Sequence, residues 1–182
     1  MIKRLKKEDT ILVAIDFQEK LLPAMADAET TEKNVKILIE GANAFGVDKI
    51  ATTQYAKGLG QTVPGVAEAL KDCPIIDKSS FSCWLNDEFR QAVEKAGKKT
   101  VVIAGIETHI CVEQTALDMV EAGYDVFLAA DAANSRNPKN HHIALNRLAA
   151  AGVTVTSVES ILYDLLGGAK APEFKTISKL VK

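Results

Sequence analysis

The stretch Thr100-Val101-Val102-Ile103-Ala104-Gly105-Ile106-Glu107-Thr108-His109-Ile110-Cys111-Val112 passes from an unbroken apolar run straight into a helical pattern. Thr100 to Ala104 carries no charge and no alternation, as expected of a strand covered by helices on both faces. The residues that follow set a lone cysteine at a strand-to-helix turn. A helix start carries unpaired backbone N–H groups and about half a unit of positive charge, which favour thiolate over thiol and lower a cysteine pKa from its free value of about 8.5. The same N–H groups can hold an oxyanion. Free cysteine is also among the most buried residue types. The turn by itself therefore supports both a nucleophile and a core residue.

Outward from this turn, short β-branched runs alternate with longer helical patterns, the signature of βαβ units and a parallel sheet. Strands are predicted at Ile11–Asp16, Lys49–Thr53, Pro74–Asp77, Thr100–Ala104, Asp125–Ala129 and Val153–Val158. Helices are predicted at about 31–45, 86–96, 109–122, 138–150, 159–166 and 173–181, with a short one at 65–71. Gly46, Gly97, Gly123 and Gly152 lie just past four of these patterns, where helices often end in a left-handed residue. Pro138 suits a first helical position behind Asn137 as the cap. The expected fold class is α/β, a three-layer α/β/α Rossmann-like arrangement around a six-stranded parallel sheet.

Composition bounds the function. With 182 residues and 47% hydrophobic content, the chain fits a single domain over 1–182 with a full core. Twenty-two basic against 24 acidic side chains leave a net charge of −2, so no overall field draws in nucleic acid or anionic lipid. A small-molecule substrate is the partner this balance leaves open. Three cysteines, at 73, 83 and 111, form no CxxC pair, which points away from a disulfide framework or a zinc site and towards a reducing, cytoplasmic setting. The basic start at Lys3, Arg4, Lys6 and Lys7 resembles a signal peptide, but the apolar run behind it is broken by Asp16 and lacks a small-residue cleavage site. No stretch approaches the roughly 20 apolar residues of a membrane span. No repeat, low-complexity segment or linker interrupts the pattern.

In a doubly wound sheet, ligands bind beyond the carboxyl ends of the strands where the strand order reverses. Asp16 closes the first predicted strand, Lys78 follows the third and Cys111 stands on the turn after the fourth. One sheet edge would then gather an acid, an amine and a thiol. Taken singly, Asp16 could cap a turn and Lys78 could be a solvated charge; their coincidence with the cysteine turn is harder to assign to chance.

The residues Ile15-Asp16-Phe17-Gln18, Asp77-Lys78-Ser79-Ser80-Phe81 and Gly105-Ile106-Glu107-Thr108-His109-Ile110-Cys111 resemble the motifs of the isochorismatase-like cysteine hydrolases, a superfamily that includes nicotinamidases and N-carbamoylsarcosine amidases. The resemblance runs from about residue 10 to the end. It is nearest to the isochorismatase-domain-containing group, through Thr53 to Gly60, Asp131 to Arg136 and Pro172-Glu173-Phe174-Lys175. It implies Cys111 as nucleophile, Asp16 as general base and Lys78 as their electrostatic support. It also implies a cis peptide bond at Ile106–Glu107, with the N–H groups of Glu107 and Cys111 forming an oxyanion hole.

One departure bears on metals. Where nicotinamidases carry an Asp-x-His pair, this chain has Gln54-Tyr55-Ala56, so neither a metal nor another cofactor is expected. Phe17, Gln18, Tyr55, Phe81 and Trp84 lie close in sequence to the site and are candidates to wall a substrate pocket, though each also reads as core. His109, two residues before the cysteine, is a further substrate candidate or a surface residue of the first turn. Ser135 and Arg136 read equally as a turn with an ion pair or as substrate contacts. Phe174, Ile177 and Val181 give the last helix one apolar stripe, to pack on its own domain or on a neighbouring subunit of a homo-oligomer.

The expected activity is hydrolysis of a C–N, amide-like bond of a small molecule through a thioester. The alternatives are an isochorismatase-type ether or ester hydrolase and a non-catalytic scaffold subunit of the same fold.

Overall fold

The computed structural model describes residues 3–182. Six strands, β1 (Thr10–Ile15), β2 (Asp48–Gln54), β3 (Ile75–Lys78), β4 (Thr100–Ile106), β5 (Asp125–Asn134) and β6 (Thr154–Thr156), pair in parallel in the order β3-β2-β1-β4-β5-β6. Every residue of β1 and β4 is buried, as their uninterrupted apolar sequences require. On one face lie α1 (Ala28–Phe45), α3 (Pro64–Leu70), α7 (Val158–Leu166) and α8 (Phe174–Leu180), packed over Leu12, Ala14, Val102 and Phe127. On the other lie α4 (Asp87–Ala96), α5 (Glu113–Glu121) and α6 (Pro138–Ala150), over Ile11, Val13, Val101, Ile103 and Leu128. The fold is thus the three-layer α/β/α arrangement the alternating pattern predicts. Among the described residues, no helix is long and apolar enough to cross a membrane.

Local chemistry sets the helix ends. Asp27 accepts the Thr30 N–H to cap α1, and Gly46, at φ 67°, closes it. Asn86 accepts the Phe89 N–H at the start of α4, and Asn137 accepts the Lys139 N–H behind Pro138 in α6. The four-residue helix α2 (Ala56–Leu59) has no apolar periodicity and leaves no signal in the sequence.

Two elements depart most from the sequence reading. β5 extends past Ala129 to Asn134 because its register jumps: Thr100–Ile103 pair with Asp125–Leu128, and then Gly105 and Ile106 pair with Ala133 and Asn134. Asp131 interrupts the apolar pattern without ending the strand, since its carboxylate accepts the Val158 N–H at 2.8 Å and its carbonyl accepts the Asn34 amide at 2.8 Å. The helix expected at 109–122 opens instead as a π-helical turn, Thr108–Val112, before α5. The last helix docks on its own chain, with Ile177 fully buried against the α1 and α7 layer.

β1 has β2 on one side and β4 on the other, so the chain leaves its carboxyl end in opposite directions. The crevice of this topological switch lies beyond Ile15 and Ile106, next to Asp16 and the π-helical turn.

Candidate active site

Asp16 follows β1 in a left-handed conformation, φ 59°, unusual for a residue with a side chain. Its N–H donates to Thr52 O at 3.1 Å, and its carbonyl accepts the Gln18 N–H at 2.7 Å. Asp16 is fully buried. One carboxylate oxygen, Oδ1, accepts from Thr52 Oγ1 at 2.7 Å; the other, Oδ2, accepts from Lys78 Nζ at 2.9 Å.

Lys78 ends β3, two strands from β1, and its long side chain crosses the end of β2 to reach Asp16. Nζ also donates to Gln54 Oε1 at 2.7 Å and faces the carbonyls of Ser80 and Phe81, each at 3.2 Å. The whole side chain is shielded from solvent. Burial works against its charge, but the Asp16 carboxylate and the nearby thiols outweigh it, leaving the Lys78 pKa raised above the usual lysine value. The ammonium is thereby held charged.

Cys111 lies inside the π-helical turn with 6% of its surface exposed. Its thiol is pushed up to about 12, first by burial and then by the Asp16 carboxylate, while Lys78 pulls the other way. This reverses the lowered value expected from a helix start. The turn buries the sulfur beside an acid, and those two effects exceed the opposing pull of Lys78. At neutral pH the resting group is a thiol next to a carboxylate.

Around the turn, the Ile106–Glu107 bond is cis. The Glu107 carboxylate accepts from the Arg136 backbone N–H at 3.2 Å and from the Arg136 side chain, and His109 Nδ1 stands 3.5 Å away. Ser135 Oγ, fully buried, accepts the Thr108 N–H at 3.1 Å and lies 3.0 Å from His109 Nδ1. Ser135 and Arg136, which the sequence left open between turn and substrate contacts, brace the cysteine turn from the end of β5.

The side chains proposed to wall a pocket divide by position. Tyr55 and Phe81 are more than half exposed and flank Lys78: the Tyr55 N–H donates to Lys78 O at 2.9 Å, and Phe81 O faces its ammonium. His109 stays partly exposed on the turn. Phe17 is buried in the α1-side core. The Gln18 amide is consumed by backbone, accepting the Gln54 N–H at 2.7 Å and donating to Gly60 O at 2.8 Å and Gln54 O at 3.1 Å. Trp84 stacks edge-on against Tyr124, with ring centroids 5.4 Å apart, near the amino end of β5.

The sequence does not single out Thr52 and Gln54 as site residues. Thr52 is one β-branched residue among many in an apolar strand, and only the approach of β1 turns its hydroxyl to Asp16. Cys83 Sγ lies 3.8 Å from that hydroxyl, and its pKa is pushed up to about 11, chiefly by burial. Among the described residues, no group of three His, Cys, Asp or Glu is placed to hold a metal ion.

Known proteins share this frame. The model of the isochorismatase domain matches residues 10–160. The secreted isochorismatase effector Isc1 of Phytophthora sojae is 36% identical over 183 residues, covering 98% of this chain and 87% of its own. Isochorismatase domain-containing protein 2 of Danio rerio is 35% identical, covering 99% and 90%. Among solved structures, MAR1 ribonuclease from Caenorhabditis elegans superposes with a TM-score of 0.93 at 33% identity, over 98% of this chain and 92% of that one. YcaC from Pseudomonas aeruginosa, solved with hexane-2,5-diol and covalent acrylamide, gives 0.93 at 31% over 99% and 92%. YcaC from Escherichia coli, described as an octameric hydrolase of unknown specificity, gives 0.94 at 30% over 99% and 90%. With most of its length matched by the domain model and close relatives aligned nearly end to end, the chain belongs to the isochorismatase family.

Proposed function

We propose that the protein is a cysteine hydrolase that cleaves a C–N, amide-like bond of a small molecule at Cys111. The observation that carries this reading is the solvent-free Lys78–Asp16 pair beside a buried thiol at the sheet's switch point. A buried ion pair is a poor source of stability, because desolvation offsets its attraction. Its placement against a thiol suits catalysis instead.

In this mechanism Asp16 takes the Cys111 proton as the sulfur attacks the carbonyl carbon, and the carbonyl π electrons move onto oxygen. In this reading the N–H groups of Glu107 and Cys111 are the donors that stabilise that oxyanion. Collapse breaks the C–N bond, Asp16 returns its proton to the leaving amine, and a thioester remains on Cys111. A water molecule then gives a proton to Asp16 and attacks the thioester; the acid leaves and the thiol is restored. Lys78 stays charged throughout and offsets the negative charge shared by carboxylate and sulfur. Tyr55, Phe81 and His109, partly exposed around this centre, are the side chains in position to meet substrate.

The covalent acrylamide on the P. aeruginosa relative supports a reactive nucleophile in this fold. The octameric E. coli relative supports a homo-oligomer here. Three free cysteines suit a reducing, cytoplasmic setting.

The test is ammonia release from a panel of small primary amides, with acid-quenched samples examined by mass spectrometry. A thioester on Cys111 is expected in the native enzyme. Cys111→Ala should abolish release, and Asp16→Asn should cut it by about 100-fold or more. Release that survives Cys111→Ala, or turnover confined to esters, would overturn the proposal.

A further inference from the structure

We infer that Thr52 is a positioning residue for the general base, an assignment that rests on the proposed cysteine-hydrolase reading. Thr52 holds Asp16 twice: its carbonyl accepts the Asp16 N–H at 3.1 Å, and its hydroxyl donates to Asp16 Oδ1 at 2.7 Å. Asp16 needs such a clamp. It is a non-glycine residue at φ 59°, a conformation that persists only where surrounding contacts enforce it. β1 and β2 pair Ile15 with Thr52, so the clamp sits at the last rung before the chain turns.

Proton counting adds direction. A threonine hydroxyl has one hydrogen, and here it goes to the carboxylate, which only accepts when ionised. The contact between Thr52 Oγ1 and Cys83 Sγ, at 3.8 Å, must then run from the thiol to the hydroxyl. Cys83 is fully buried, with its pKa raised to about 11, so it keeps the proton this donation needs. The chain Cys83 S–H to Thr52 O–H to Asp16 Oδ1 points all its donors towards the carboxylate, opposite Lys78 on Oδ2. With both oxygens tethered, the carboxylate cannot rotate away from the Cys111 thiol. Thr52 and Lys78 also play different parts: the ammonium can only donate, whereas the hydroxyl can reverse and accept when Asp16 carries the proton taken from Cys111. Thr53, the next residue, turns to the other side and donates to Asp77 Oδ1 at 2.9 Å, so a threonine at that position alone does not supply the clamp.

Thr52→Val keeps the shape of the side chain and removes only the hydroxyl, while Thr52→Ser keeps the hydroxyl. Two readouts apply: amide turnover, and the rate at which acrylamide alkylates Cys111, followed by peptide mass spectrometry from about pH 5 to 9. Thr52→Val is expected to slow both by about 10-fold or more, the effect of losing one hydrogen bond to a charged group, with KM little changed. The pH profile of alkylation should change as well, because the Asp16 carboxylate loses one of its two tethers. Thr52→Ser should restore the native rate and profile. A folded Thr52→Val variant with the native rate and pH profile would overturn the inference and leave Thr52 a packing residue. Should the valine variant not fold by circular dichroism, the comparison of Thr52→Ala with Thr52→Ser decides in the same way. Asp16→Asn separates the two layers of argument. If it is slow while Thr52→Val is native-like, only the positioning role fails; if Asp16→Asn itself alkylates at the native rate, the general-base reading fails and the inference with it.

Discussion

A lysine without exposed side-chain surface owes its charge entirely to its partners. Lys78 has Asp16, Gln54 and two backbone carbonyls in place of water. Removing it leaves the Asp16 carboxylate buried and unpaired, so Lys78→Met is expected to destabilise the fold by about 3–5 kcal/mol in urea titrations. The Asp16→Asn/Lys78→Met double variant should lose less than the sum of the single changes, since it buries no lone charge. The thiols set a second prediction. Cys73 and Cys83 are raised to about 11 and Cys111 to about 12, each from 9.0 and each mainly by burial. Between 9.0 and these values, the unfolded chain releases protons that the native chain keeps, so native protein binds more protons and stability falls as pH rises. Lys78, raised above 10.5, acts in the same direction: its contribution is complete below 10.5 and is lost as pH climbs through its folded value. Urea midpoints should therefore decline above about pH 9, and Cys111→Ala should make the decline shallower. An unchanged slope in that variant would remove Cys111 from the linkage.

At the level of elements, the junction between β4 and the π-helical turn depends on Gly105. A Cβ there would stand 2.6 Å from Ile15 Cβ, 2.9 Å from Val112 Cγ2 and 3.0 Å from Ile15 O. Only glycine lets the cysteine turn close over the end of β1. Gly105→Ala should lower the melting temperature, through an overpacking cost of about 1–3 kcal/mol, and should reduce amide turnover as well because the turn and Asp16 are forced apart. A variant with native stability and rate would show that the junction yields. α6, with Asn137 and Pro138 at its start, is legible in the sequence to the residue, and so is the end of α1 at Gly46; the start of α1 is not, because Asp27 opens the helix at Ala28 ahead of the apolar pattern that marks it from about 31. Nor is the end of β5. Asp131 and Asn134 look like loop residues until Val158, Asn34 and Thr31 supply their partners. The π-helical turn was equally hidden, since its apolar spacing reads as an ordinary helix start.

For the whole molecule, the proposed self-association has to use surfaces other than α8, whose apolar stripe is spent inside its own chain. Ile143 and Leu85 remain about two-thirds exposed and Tyr163 more than one-third, at separate places on the helical layers and the turn before α4. Light scattering at low micromolar concentration is expected to give an integer multiple of the 19.6 kDa chain mass. A value at the single-chain mass would refute self-association. Ile143→Lys and Leu85→Lys, placed on apolar surface that folding leaves uncovered, should shift the mass downward if these patches are the ones buried.

Sequence by itself determined the layered α/β architecture, because burial on both faces demands apolar strands and the helices between them declare themselves by period and caps. It also marked Asp16, Lys78 and Cys111 as strand-end residues, since a polar side chain at the close of an apolar run stands out in one dimension. Tertiary structure alone decided what surrounds them. That Thr52 tethers Asp16, that Gln54 holds Lys78, that the Gln18 amide is used up by backbone and that Trp84 stacks on Tyr124 are contacts between distant segments. The protonation of Cys111 belongs to the same class. Its place after a strand suggested a thiolate, but the sulfur's pKa follows from how deeply the turn is buried and from the carboxylate that β1 brings beside it, and neither quantity is a property of the local sequence.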